Sequence, residues 1–213
     1  MPKFNAKAAA IAVDDAPTEI VVPVDIESDV RDLVAIIAAS YKSVDVNPFH
    51  NFDHACHVTM SVSKLIKRIV RPTDLTSTTE QFVENGGENS HSATEMDRLA
   101  SQLHNHTNGL TSDPLTIFGI VFAALIHDVD HQGISNPQLC IEDPVLANKY
   151  HSKSVAEQNS IDTSWEIFML EQFVSLRRFI FGIDPCQHHE ELRRFRQVIV
   201  NVVLATDIFD IKI

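Results

Sequence analysis

Positive charge is scarce in this chain: 17 Lys and Arg face 29 Asp and Glu, a formal net charge of −12. So acidic a surface argues against nucleic acid or an anionic membrane as a general partner. Cysteine is scarce as well. Cys56, Cys140 and Cys186 form an odd, scattered set, which supports neither a disulfide framework nor a thiolate zinc site and points to a reducing compartment, the cytoplasm. Long apolar runs are missing too. The stretch Ile117 to Ile126, interrupted only by Gly119, is too short to span a bilayer. Ala8 to Val13 is shorter still and runs into Asp14-Asp15, so neither a secretory signal nor a transit peptide is expected. Strand signals are sparse, and no internal repeat emerges.

What is present is helical spacing. The 213 residues are 44% hydrophobic, enough to bury one core, and an all-α, multi-helix fold is expected. Apolar positions Val30, Leu33, Val34, Ile36, Ile37 and Tyr41 predict a helix over 27–41, with Ser28 as its N-cap. After the turn Asp45 to Pro48, a second helix carries His50 onward through Val58, Val62, Leu65 and Ile69 to Pro72. Ile117 to Ile126 predicts a buried helix that delivers His127 to an interior cleft. Further helices are expected over 144–150, 154–159, 164–173 and 190–208. Residues 1 to 25 read as a loose arm, and the polar tract from about 72 to 113, which includes Asn85-Gly86-Gly87, reads as a disordered insertion.

Two histidine clusters carry the chemistry: Phe49-His50-Asn51-Phe52-Asp53-His54 and His127-Asp128-Val129-Asp130-His131-Gln132-Gly133. Within each, the imidazoles stand four residues apart, an interval that puts both on one face of a helix and aims them at one place. One such pair alone is usually a surface feature. Asp128 follows His127 directly, so a nitrogen and an oxygen donor leave the backbone together, and one carboxylate can bridge two ions. Mixed nitrogen and oxygen donors suit zinc at one site and a harder ion, magnesium or manganese, at the other.

These residues resemble the class I 3′,5′-cyclic nucleotide phosphodiesterases of the HD metal-hydrolase superfamily. The family's aromatic-His-Asn-x-x-His-Ala pattern is matched by Phe49 to Ala55, and its His-Asp-x-Asp-His-x-Gly-x-x-Asn signature by His127 to Asn136. Ser154 to Asn159 and Leu204 to Asp207 match two further motifs in the family's order. The likeness covers roughly residues 30 to 209 and corresponds to the first half to two-thirds of such a catalytic domain. It implies an HD-type fold, incomplete at the C-terminus and occupying 26–213, that hydrolyses cyclic AMP or cyclic GMP to the 5′ monophosphate. His50 would be the general acid that protonates the leaving 3′ oxygen, a task suited to an imidazole with a pKa of ~6.5. His54, His127 and Asp128 would hold the tighter ion, with Asp128 reaching the second, while a water between the two ions attacks phosphorus. His131, Glu157 and Thr206 match positions that hold metal-bound waters, and His50, His54 and Asp128 would face the substrate's phosphate. Gly133 and Asn136 would fix the turn after the signature.

The chain also departs from the family's pattern. A fourth protein ligand, an Asp in a His-x-x-Asp-Leu segment, has no counterpart before Ile213, nor do the glutamine and aromatic clamp that hold the purine. Neither Asp207 nor Asp210 stands in the context to replace that ligand, so feeble turnover at best is expected. His57 stands where many members have Asp, and Asn159-Ser160 replace a His pair. His57 reads as a packing or surface residue, while His91, His104, His106, His188 and His189 read as solvent-exposed. Two other functions stay open: a non-catalytic remnant acting through binding, and an HD phosphohydrolase for linear nucleotides or phosphomonoesters, against which the His-Asn-x-x-His element argues.

Overall fold

The computed structural model describes residues 22–69 and 112–208, with a few isolated positions from 98 to 110. Most of the expected arm and nearly all of the polar tract, with His91, His104 and His106, lie outside the described residues, as does Asp210. Among those described, the fold is all-α. Its helices are α1 (Val24–Ala39), α2 (Phe52–Ile66), α3 (Pro114–Ile126), α4 (Asn136–Glu142), α5 (Pro144–Lys149), α6 (Val155–Phe168), α7 (Val174–Phe181) and α8 (Pro185–Leu204), with a 3₁₀ turn at Glu171–Phe173. No helix among the described residues is long and apolar enough to cross a membrane.

Two compact units divide the chain, one of residues 1–20 and 63–118, the other of residues 21–62 and 119–213. Within the first, Asp113 starts α3: its carboxylate accepts the Leu115 N–H at 3.2 Å and the Thr116 hydroxyl. Pro114 follows at the first helical position, where its missing N–H costs nothing.

The second unit holds the larger core. α1 begins earlier than spacing predicts, because Pro23, at φ −54°, presets helical entry and Asp25 and Glu27 favour the positive end of the helix. Ser28 consequently lies inside the helix. Its buried stripe is Ile26, Leu33 and Ile37. α6 packs against α1, α4 and α8, and α7 against α1 and α8. At the centre, the Phe195 ring lies 5.7 Å from those of Phe122 and Phe168 and 5.4 Å from that of Phe181. Phe195, Ile199 and Val203, four residues apart along α8, form its buried face. Gly119 is required where α3 meets α8, since a Cβ there would lie 2.8 Å from Val198 Cγ1.

The two helices expected over 154–159 and 164–173 are differently divided. α6 runs unbroken to Phe168 because the polar residues between have partners: the Ser160 hydroxyl donates to Val129 O at 2.7 Å, and Asp162 accepts from Tyr150 at 3.0 Å. It ends where buried Arg177 donates to Phe168 O at 2.6 Å and Leu170 O at 2.9 Å, supplying carbonyls that a helix end leaves unpaired. α8 starts at Pro185, ahead of the expected 190, because Asp184 caps it through Gln187 N–H at 2.9 Å.

Phe195→Ala should destabilise the protein by about 3–5 kcal/mol, since Phe122, Phe168, Phe181 and Trp165, the last with its ring 6.5 Å away, cannot collapse into the void. Urea unfolding with an unchanged slope would register this as a lower midpoint; a shift below about 1 kcal/mol would contradict the packing described.

Candidate metal centre

α3 is an apolar helix that ends at Ile126, and the chain leaves it through a tight turn. Val129 N–H donates to Ile126 O at 3.0 Å and His131 N–H to Asp128 O at 3.1 Å, while Asp130 adopts a left-handed φ of +55°, a conformation Asp tolerates better than most residues. His127 and His131 therefore do not share a helical face. Nor do His50 and His54, because His50 precedes α2. The four-residue interval still converges each pair, by turns instead of helices.

Side chains from elsewhere in the unit hold this turn. The Tyr41 hydroxyl donates to Leu125 O at 2.7 Å, Ser160 to Val129 O at 2.7 Å, and Asp130 N–H to Ser40 O at 3.2 Å. Lys42 pairs with the Asp130 carboxylate at 3.0 Å, and Asn159 donates to it at 3.2 Å. Asn159 and Ser160, which depart from the resembling family's His pair, thus support the turn that carries the donors.

Three donors meet there. Asp128 Oδ2 lies 3.1 Å from His127 Nε2 and 3.8 Å from His54 Nε2, and one ligand atom from each of the three residues falls within 4.8 Å of the others. Ligands about 2.1 Å from one zinc at a tetrahedral angle stand about 3.4 Å apart, so these separations fit a shared ion. The proton positions fit as well. His127 Nδ1 lies 3.0 Å from Ala124 O, an oxygen that can only accept, so Nδ1 carries hydrogen and Nε2 presents its lone pair towards Asp128 when the ring is neutral.

Burial works against His127's charged form, but the hydrogen bond and charge of Asp128, with the Ala124 carbonyl, outweigh it and raise the pKa. Burial likewise opposes Asp128's charge, and the His127 bond, assisted by His127, His50 and His131, leaves that carboxyl below its ordinary range. The two are thus poised as an ion pair whose proton a cation would displace. His54 is held low, mainly by burial and by neighbouring imidazoles, despite the pull of Asp128.

The other expected residues fall at different distances from this trio. His50 is half-buried, with its ring stacked on His131 at 3.8 Å between centroids and 24° between planes. Its Nδ1 is buried without a hydrogen-bond partner. Phe49 is exposed and packs 4.9 Å from His50 and 4.5 Å from His54. His131 Nδ1 accepts Gly133 N–H at 2.9 Å, and its pKa is lowered, first by burial and then by His50. Glu157 takes a hydrogen bond from Asn136 at 2.9 Å, yet burial, with repulsion from Asp207 and Asp128, raises its pKa. Thr206 is exposed, and its hydroxyl donates to Val203 O at 2.7 Å. His57 and His189 are exposed, whereas His188 is half-buried: its Nδ1–H donates to Gly182 O at 2.9 Å and its ring meets Phe181 edge-on.

Sequence reasoning missed Tyr41, Asn47, Asn51 and the burial of Asp207. Asp207 is 4% exposed and accepts from Asn136 at 3.2 Å, so one amide spans two carboxylates. Asn47 and Asn51 had a readable signal. Each stands three residues before an expected site histidine, the spacing at which an Asn oxygen accepts a following N–H, and here Asn47 takes His50 N–H at 2.9 Å and Asn51 takes His54 N–H at 3.1 Å.

Residues 49–211 match the family described as 3′5′-cyclic nucleotide phosphodiesterase. The chain is 29% identical over 161 residues to "Probable 3′,5′-cyclic phosphodiesterase pde-3" of Caenorhabditis elegans, covering 76% of this chain and 21% of that protein. It is 27% identical over 172 residues to the human "cGMP-inhibited 3′,5′-cyclic phosphodiesterase 3A", covering 76% and 14%. It is also 31% identical over 96 residues to "3′,5′-cyclic-AMP phosphodiesterase, isoform F" of Drosophila melanogaster, covering 44% and 13%. The chain thus spans about a fifth or less of the length of these relatives. With three quarters of its residues inside the matched region and the histidine–aspartate centre assembled, this chain belongs to the 3′,5′-cyclic nucleotide phosphodiesterase family.

Proposed function

We propose that this chain carries the metal-binding part of a hydrolase that opens 3′,5′-cyclic nucleotides to 5′ monophosphates in cytoplasmic signalling. The observation that carries the reading is the convergence of His54, His127 and Asp128 on one small volume. These residues suit Zn²⁺ by donor type, and Asp128, with a second carboxylate oxygen to spare, suits Mg²⁺ or Mn²⁺ beside it. Bound divalent ions would neutralise phosphate charge and acidify water.

The protein's own residues have definable parts in that reaction. Water adds its oxygen to phosphorus, the bond from phosphorus to the 3′ oxygen breaks, and that oxygen must gain a proton. His50, on the rim of the centre and steadied by His131 and Phe49, is the proposed donor of that proton. His131 and Glu157 would hold water at the flanks, and Thr206 would have to release Val203 to do the same. The phosphate would sit against His50, His54 and Asp128. The overall negative charge makes nucleic acid a poor partner, and the three free cysteines accord with a reducing compartment.

Calorimetry with Zn²⁺ or Co²⁺ should detect a site that His127→Ala weakens at least about tenfold, because one of three donors is gone; equal binding by both proteins would remove the basis of the proposal. Affinity should also depend on pH in a fixed sense. The ion needs neutral His127, whose pKa is raised, so binding is full above that value and falls as pH drops through it; a Co²⁺ titration that strengthens in acid would contradict this.

With Zn²⁺ and Mg²⁺ supplied, ³¹P NMR of cyclic AMP or cyclic GMP should report the 5′ monophosphate as product, and His50→Ala should lower kcat by about 10²–10⁴-fold. Metal binding without turnover of either nucleotide would favour the non-catalytic reading.

A further inference from the structure

The proposed acid and the metal donors come from two stretches of chain that share no helix, residues 47–54 and 127–133. One side chain ties their backbones together. Asn47 is 4% exposed; its Nδ2 donates to His131 O at 3.1 Å while its Oδ1 accepts His50 N–H at 2.9 Å. Its own carbonyl accepts Asn51 Nδ2 at 3.0 Å, and Asn51 Oδ1 takes His54 N–H at 3.1 Å. A continuous set of four hydrogen bonds therefore runs from the backbone of His131 through two buried amides to those of His50 and His54. The fit is close: a Cβ on Gly133 would stand 3.4 Å from the Asn47 amide.

An amide meets both needs at this position from two separate atoms. The His131 carbonyl needs a donor and the His50 N–H needs an acceptor, and both must come from one short side chain. Aspartate offers two acceptors, and an apolar residue offers neither. The two backbones so joined are those whose rings stack at 3.8 Å. The metal donors do not use the Asn47 side chain: His127 and Asp128 are fixed by Tyr41 on Leu125 O, Ser160 on Val129 O and the end of α3, and His54 by Asn51, whose bond to residue 47 is to the main-chain carbonyl that a substitution keeps.

From this division of labour we infer that Asn47 is a positioning residue for the proposed general acid: it sets the His50 ring against His131 and leaves the metal site to other supports. The inference rests on the phosphodiesterase reading for its catalytic consequence but not for its geometry. Asn47→Asp keeps the shape and the acceptor for His50, and loses the donor to His131. Asn47→Ala removes both without introducing charge, and covers the case in which a buried carboxylate prevents folding.

The tests are Co²⁺ calorimetry, the His50 ring-proton shifts assigned by the signal lost in His50→Gln, and steady-state kinetics, all on the 213-residue chain. Co²⁺ affinity should stay within about threefold, because no donor is touched. The ring-current shift of His50 should relax towards that of free histidine, and kcat should fall by about 10²-fold with a smaller change in KM. Leu176→Ala, a buried deletion on α7, controls for lost stability alone. If the Asn47 variants merely lose stability as Leu176→Ala does, with the His50 shift unmoved, the inference is overturned; unchanged shifts and kcat overturn it too. Should the wild-type chain hydrolyse neither nucleotide, the phosphodiesterase reading falls, and the calorimetry and ring shifts alone decide the role of Asn47.

Discussion

The turn from His127 to His131 is the constraint on which the centre depends. A buried apolar helix leaves its last carbonyls without intrahelical donors, and α3 and the turn that follows it find donors on other elements. Tyr41 reaches Leu125 O and Ser160 reaches Val129 O. Each bond contributes only about 1 kcal/mol net, but a buried carbonyl deprived of it costs about 1–3 kcal/mol. The chemistry is thereby anchored to a rigid helix end, and the direction in which His127 and Asp128 leave the backbone follows from where those carbonyls must point.

Much of this was legible in the sequence, and the failures have physical causes. Ile117 to Ile126 could be read as a buried helix because nothing polar interrupts it; residue type and spacing marked out the two histidine clusters, and the family resemblance singled out His54, His127 and Asp128 within them. The inference from an interval of four to a shared helical face failed because successive tight turns also bring such residues together. α6 looked divided because the gap between the two expected helices, 160–163, holds the polar Ser160, Asp162 and Thr163, whereas Asp162 lies in a cluster with Tyr150, Lys149 and Arg196. α7 was missed because Arg177 and Arg178 mask its apolar stripe, and a guanidinium spent on capping another helix cannot be recognised without the fold. The supporting amides at 47 and 51 were missed for a related reason: their partners are backbone groups, and only the interval of three before His50 and His54 hinted at them.

Charge explains why local arrangement has to carry so much. A chain of net charge −12 gives an anionic substrate no general attraction. Around the centre stand several imidazoles and the carboxylates of Asp128, Glu157 and Asp207, the last two bridged by the Asn136 amide. Divalent cations held among them would give this acidic chain a place suited to a phosphate.

The amide of Gly133 has a consequence that reaches beyond its turn. By occupying Nδ1 of His131 with a donated hydrogen, it leaves that ring's hydrogen on Nε2, so the outer nitrogen can give a hydrogen bond but offers no lone pair to an ion. The carbonyl of Ala124 imposes the opposite arrangement on His127. Two chemically identical rings in one short motif are thus given opposite tautomers, one presenting a lone pair on its outer nitrogen and the other a hydrogen, by whether a peptide oxygen or a peptide nitrogen stands behind each.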